Sequence, residues 1–397
     1  MTFQPLVLKK GEDRRIRAGH LWVFSNEVDA ARTPLDTFAP GAPAVILSNN
    51  GKFLGTGYVN PHSLICARLV SRDPEHPFDI PLLAARFQSA LSLRERIFDQ
   101  PFYRLVFGES DGLPGLVIDR YGEMLAVQIT TAGMERLKDD LVAMLKNLVK
   151  PSAILLRNDA PIRALEGLPQ YVEIAFGCVQ EPVQVSENRC VFHAPILTGQ
   201  KTGWFFDHRQ NRARMICYVK DRRVLDVFSY LGAWGIAAAV GEARHVHCIE
   251  SSETALAYLR QNASHNGMID KVTPILGDAF EKLKELHGAG KRFDVVILDP
   301  PAFIKRKKDL KEGMAAYQRL NQLAARLLCG DGILITSSCS HHLRPEEFLD
   351  VVRRGISRAG REHQILEQGH QGPDHPIHPA IPETNYLKTF ICRVILS

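Results

Sequence analysis

The chain has 397 residues, of which 45% are hydrophobic and 23% charged, with a formal net charge of +5. That length exceeds one compact core and predicts two or three domains of ordinary globular composition. No apolar run reaches membrane-spanning length, Leu6-Val7-Leu8 runs straight into Lys9-Lys10 and is no signal-peptide core, and the eight cysteines lack any C-x-x-C pair. These features argue against an integral membrane protein, a disulfide framework and a zinc ribbon, and for a reducing cytoplasm.

Residues 1–72 read as short β runs (Pro5 to Leu8, Ala44 to Leu47, Phe53 to Val59, Ile65 to Val70) broken by Gly41, Asn49-Asn50-Gly51 and Asn60-Pro61, a small barrel or sandwich. Arg14, Arg15, Arg17, His20 and Trp22 cluster near its start. Residues 73–195 open on a proline-containing linker, then mix helical spacing (Ile80 to Phe98, Glu135 to Leu148) with strand runs at Arg104, Gly115, Met124, Ala153, Val172 and Glu181. This is an α+β segment without a catalytic signature. It carries seventeen acidic against twelve basic side chains, whereas both flanking segments are net basic, as expected if the ends hold a polyanion. From 196 onward strands and helices alternate, with strands at Val224–Phe228, Val246–Glu250, Thr273–Leu276, Val295–Asp299, Ile333–Ser337, Gln364–Glu367 and Phe390–Leu396. The expectation is an α/β doubly wound sheet.

Ligands in such sheets sit at the carboxyl ends of the strands. Asp226 ends the first strand, and the following turn carries Ser229, Gly232 and Gly235 in the pattern D-x-F-x-x-x-G-x-x-G. That pattern is not the G-x-G-x-x-G that cradles a pyrophosphate, so a nucleoside cofactor without phosphates is expected. Glu250, ending the second strand, could hold ribose hydroxyls. Asp278, after the third, could accept from an adenine amino group, with Phe280 nearby. Singly, Asp226 could be a helix cap and Glu250 a solvated strand end; four acids at four consecutive strand ends point to a ligand. Upstream, Phe206, Asp207 and Arg209 in G-Q-K-T-G-W-F-F-D-H-R could close over the cofactor, Arg209 facing its carboxylate.

Asp299 opens D-P-P-A-F, where it can accept from an exocyclic amine while Pro300 and Pro301 stiffen the backbone and Phe303 lies beside a base. This alone suits amino-group methylation as well as carbon methylation. Cys339, in S-S-C-S after the next strand, favours carbon: a thiolate adding to C6 of a pyrimidine makes C5 nucleophilic. Lys305, with the basic residues after it, and Arg14 and Arg15 are candidate RNA contacts. His375 and His378 lack the carboxylate or cysteine spacing of a metal site, and no metal is expected; Asp374 or His375 is a secondary candidate for the C5 proton acceptor.

The order glycine turn, acid, Asp, D-P-P resembles the class I S-adenosylmethionine methyltransferases. R-R-I-R-A-G-H-L-W-V-F-S-N-E, G-K-F-L-G-T-G-Y-V-N and R-L-V resemble the PUA domain, an RNA-binding β-barrel. With D-V-F-S-Y-L-G-A-W, L-D-P-P-A-F, S-S-C-S and the closing Y-L-K-T-F-I-C-R-V, the whole chain resembles the PUA-containing ribosomal RNA large-subunit cytosine-C5 methyltransferases. That resemblance implies S-adenosylmethionine as cofactor, ribosomal RNA as partner and Cys339 as nucleophile. One departure is G-A-W, where the family often has two adjacent glycines. The rival readings are exocyclic amine methylation with Cys339 a bystander, and a non-catalytic RNA-binding assembly factor. The oligomeric state is open, a homodimer among the options.

Overall fold

The computed structural model describes residues 3–396. The chain divides into two compact units, one of Met1–Val183, Pro195–Trp204 and Pro373–Thr384, the other of Gln184–Ala194, Phe205–Gly372 and Asn385–Ser397. The three segments read from the sequence (1–72, 73–195, 196–397) are contiguous, whereas these units exchange three short stretches.

The first unit contains two five-stranded sheets. One is built from β1 (Gln4–Val7), β2 (Trp22–Phe24), β3 (Ala42–Leu47), β4 (Phe53–Val59) and β5 (Ile65–Ser71) in the order β1-β3-β4-β5-β2, with helix α1 (Arg14–Arg17) between the first two strands. Its core collects Leu6, Ile16, Val23, Ile46, Val59 and Leu69. The other comprises β6 (Phe102–Phe107), β7 (Leu116–Tyr121), β8 (Met124–Ile129), β9 (Ala153–Asn158) and β10 (Tyr171–Gly177), in the order β10-β9-β8-β7-β6. Helix α2 (Ile80–Ile97) starts where the Asp79 carboxylate accepts from Leu82 N at 2.9 Å and buries Leu83, Phe87, Ala90 and Leu91 along one stripe. The helix expected over 135–148 is two pieces, α3 (Ala132–Glu135) and α4 (Lys138–Val149); α5 (Ile162–Leu165) follows β9.

The second unit pairs a hairpin, β11 (Val183–Glu187) and β12 (Cys190–Ala194), with a seven-stranded sheet. Its strands are β13 (Arg223–Val227), β14 (His245–Glu250), β15 (Val272–Leu276), β16 (Phe293–Leu298), β17 (Leu328–Ser338), β18 (Arg361–Gly369) and β19 (Lys388–Leu396), in the order β15-β14-β13-β16-β17-β19-β18. The helices are α6 (Arg209–Met215), α7 (Ala233–Val240), α8 (Glu253–His265), α9 (Ala279–Gly288), α10 (Leu310–Leu327) and α11 (Pro345–Arg358). Val224–Val227 and Val295–Leu298 are buried without alternation, as central parallel strands covered on both faces must be. The chain winds outward from β13 to β15, then returns to β16, so the order reverses between β13 and β16 and opens a crevice at their carboxyl ends. Beyond β17, β19 is antiparallel to both neighbours. β17 begins at Leu328, not at the expected Ile333: Phe293 pairs with Leu328 and Val295 with Ile333, so Gly330-Asp331-Gly332 lies in an irregularity within the strand. Among the described residues no helix is long and apolar enough to cross a membrane.

Candidate active site at the carboxyl strand ends

The glycine turn after β13 is bent by positive φ at Phe228 (67°), Tyr230 (47°) and Gly232 (88°). Only Gly232 takes that geometry without strain. A side chain there would also meet Ile236 at 2.8 Å and Leu259 at 2.9 Å, and one at Gly235 would lie 2.5 Å from Cys248 Sγ. Asp226 stands behind this turn: fully buried, it accepts from Gly235 N at 2.9 Å. Burial pushes its pKa up to about 8, opposed by that hydrogen bond. Ser229, also buried, donates to the Ile249 carbonyl at 3.2 Å. Glu250 reaches the turn from β14: one oxygen accepts from Tyr230 N at 2.9 Å, the other from Ser251 N at 2.9 Å and Ser252 N at 3.0 Å. Asp278 is the N-cap of α9, accepting from Glu281 N at 3.1 Å. Phe280 packs 6.2 Å from Phe303, and the Arg319 guanidinium lies over its ring at 5.5 Å.

Asp299, just past β16, is the hub of the crevice. One oxygen accepts from Trp234 Nε1 at 2.9 Å and the other lies 3.1 Å from His208 Nε2. Burial raises its pKa, but His208 and Trp234 outweigh that and hold it below the usual carboxylate range. The amide nitrogen of Asn211 lies 3.3 Å from His208 Nδ1, on the side of the ring away from Asp299. Sequence reasoning misses both His208 and Trp234 as site residues. His208 sits inside the D-H-R-Q-N cluster, so a signal is present; Trp234 shows only as the end of the glycine turn.

The upstream motif is engaged by its own neighbours. Phe206 is buried beneath the Arg209 guanidinium at 5.4 Å, and Asp207 accepts from Tyr386 Oη at 2.6 Å. Arg209 lies 3.6 Å from Glu187, which is also gripped by Arg212 at 2.5 and 2.8 Å. The expected role of Arg209 opposite a cofactor carboxylate thus competes with a carboxylate supplied by β11.

Cys339 follows β17, the strand beside β16, and is half-buried. Its turn is held from three sides. Ser338 donates to Tyr317 Oη at 2.9 Å, Tyr317 Oη and Ser340 Oγ are 3.0 Å apart, and Ile304 N donates to Ser340 Oγ at 3.2 Å. Lys388 Nζ donates to the carbonyls of Ser340 and Leu343 at 2.7 and 2.9 Å. His341 stacks on Tyr386 at 5.2 Å. Pro300 is buried and Pro301 exposed; Phe303 packs 4.7 Å from Tyr317, and Lys305 through Lys308 are exposed. Cys329 faces Arg223, whose guanidinium is 3.4 Å from its sulfur. Cys248 is fully buried, and burial drives its thiol pKa well up.

In the first unit, Arg14 is exposed. Arg15 donates to Glu27 at 2.7 Å and lies over Phe24 at 4.9 Å, so structural partners already engage it. Asp374 and His375 belong to this unit too: the Asp374 carboxylate accepts from Arg104 N at 3.0 Å, its carbonyl from Arg94 at 2.9 Å, and His375 lies 3.0 Å from Asp374 and against Phe107. No group of three or more His, Cys, Asp or Glu side chains placed to hold a metal occurs among the described residues.

A family model described as a PUA-like domain matches residues 6–72, and one described as conserved hypothetical protein 95 matches residues 203–350. The chain is 36% identical over 399 residues to the ribosomal RNA large subunit methyltransferase I of Cronobacter sakazakii, covering 98% of this chain and 99% of the relative. It is 35% identical to the protein of that name from Klebsiella pneumoniae over 402 residues, 99% of both. A crystal structure described as a methyltransferase complexed with SAH has the same fold, with a TM-score of 0.84 at 20% identity over 99% of this chain and 100% of that one.

Proposed function

This chain belongs to the ribosomal RNA large subunit methyltransferase I family, and from that premise we propose that it methylates C5 of a cytosine in large-subunit ribosomal RNA through a covalent bond between Cys339 and C6. The observation that carries the reading is the pairing of two neighbouring strand ends: Asp299-Pro300-Pro301 after β16 and the clamped Cys339 turn after β17. S-adenosylmethionine is the methyl donor, supplying an electrophilic methyl group on a sulfonium. The groups present fit it: Gly232 and Gly235 let the turn after β13 pack tightly onto α7, α8 and β14, and Glu250 is fixed against that turn by three backbone N–H groups, where it can meet ribose hydroxyls. Asp226 supports the turn from behind, and Phe280 supplies an apolar wall. Asp278, already capping α9, has an exposed carboxylate at the same edge.

The Cys339 thiolate adds to C6, and the electron pair displaced from the C5–C6 bond makes C5 nucleophilic toward the methyl group. Loss of the C5 proton then restores the double bond and expels the thiolate. Asp299, kept ionised by His208 and Trp234, accepts from the base's amino group and orients the ring. The PUA-like sheet and the Lys305 loop supply phosphate contacts, and the enzyme acts in the cytoplasm, where ribosomal RNA is found.

Cys339→Ala should abolish methyl transfer with cofactor affinity nearly intact. RNA carrying 5-fluorocytosine should trap a covalent adduct on Cys339, since fluorine does not leave as a proton does. Exocyclic amine methylation instead requires no adduct, near-normal turnover in Cys339→Ser and a methylated amino group in the product; that set of results would replace the C5 mechanism.

A further inference from the structure

We propose that Lys388 is a positioning residue for Cys339, fixing the turn that carries the thiol and favouring its ionised form by charge. This rests on the reading of Cys339 as the nucleophile and adds the group that activates it. Lys388 opens β19 and lies opposite Ser338 in the antiparallel register of β17 and β19. Its side chain is almost fully buried, and its ammonium donates to two carbonyls of the Cys339 turn, those of Ser340 and Leu343. Among the described residues it forms no ion pair with a carboxylate.

A buried ammonium without a counter-charge is costly, and two carbonyl bonds alone do not require one, because a neutral amide N–H could make them. The cost is intelligible if a negative charge forms nearby. Burial lowers the Lys388 pKa and charge on Cys339 opposes that, for a net value of about 8. Such coupling is mutual: a thiolate that favours the ammonium is favoured by it to the same degree. The titratable side chains bonded into or stacked on this turn include Tyr317 of α10, His341 in the turn itself, and Tyr386 ahead of β19, whose hydroxyl goes to the buried carboxylate of Asp207. The proton leaves to solvent, since Lys388 already carries its own, and the pair reached is ammonium and thiolate.

The test is alkylation of the full-length protein by iodoacetamide as a function of pH, with the Cys339 peptide quantified by mass spectrometry. The exposed Cys178 and Cys217 serve as internal references. Lys388→Gln keeps N–H donors for the turn and removes the charge. It should slow Cys339 alkylation at neutral pH about tenfold and displace the profile upward by about one pH unit, with both references unmoved. Lys388→Arg should restore most of the rate. A wild-type profile in Lys388→Gln would overturn the proposal even if methyl transfer fell, leaving the lysine a structural clamp. Because the readout is the thiol itself, it is separate from the 5-fluorocytosine adduct: absence of that adduct defeats the C5 mechanism, whereas an unmoved profile defeats only the role of Lys388.

Discussion

Asp226, Glu250 and Asp278 look like ligands in the sequence because acids recur at successive strand ends. In the fold each is bonded first to backbone N–H groups of the turn or helix that follows. The reason is local: chain leaving a strand into a turn or helix exposes unpaired donors, and a strand-end carboxylate is the nearest acceptor. Asp226 shows the cost. Its folded pKa of about 8 lies far above the ordinary 3.8, so between those values the folded state binds more protons than the unfolded one. Stability therefore falls as pH rises through that window and levels off above about 8. Asp226→Asn should remove this loss, the wild type falling behind by up to about 1.4 kcal/mol per pH unit inside the window. Urea midpoints from pH 4 to 8 measure it, and a gap between the two proteins that is constant with pH would refute the assignment.

The hairpin of β11 and β12 illustrates what periodicity misses at the scale of elements. The sequence predicts a strand at Glu181 to Val185, but not its partner β12. The join of the hairpin to α6 is electrostatic: Glu187 on β11 and Arg212 on α6 form a bidentate pair, both nearly inaccessible to water. Removing one partner of such a pair leaves the other charge buried and uncompensated. Glu187→Ala should therefore lower unfolding stability by about 3–5 kcal/mol, the range for breaking a buried pair. Chemical denaturation measures this, and a loss below about 1 kcal/mol would mean that water or rearrangement satisfies Arg212.

At the scale of the whole molecule, capture of RNA depends on charge. The loop Lys305, Arg306, Lys307 and Lys308 is exposed, with Arg306 paired to Asp309 at 3.3 Å. Replacing these four by neutral residues should lower RNA affinity and flatten the log–log salt dependence by roughly 0.7–0.9 for each phosphate that is no longer neutralised. An unaltered slope would make the loop a solvated surface and put the RNA path elsewhere. The sequence by itself determined the fold class and the position of Asp299 and Cys339 at the ends of successive strands, because burial periodicity and turn chemistry are local and leave their mark on neighbouring residues. Only the tertiary structure decided the partners: His208 and Trp234 on Asp299, Tyr317 and Lys388 around Cys339, and Glu187 against Arg209. Those pairings join residues far apart in the chain, Trp234 and Asp299 by 65 positions. A hydrogen bond between distant residues leaves no period in the chain, since only the packing of strand ends brings its donor and acceptor within reach.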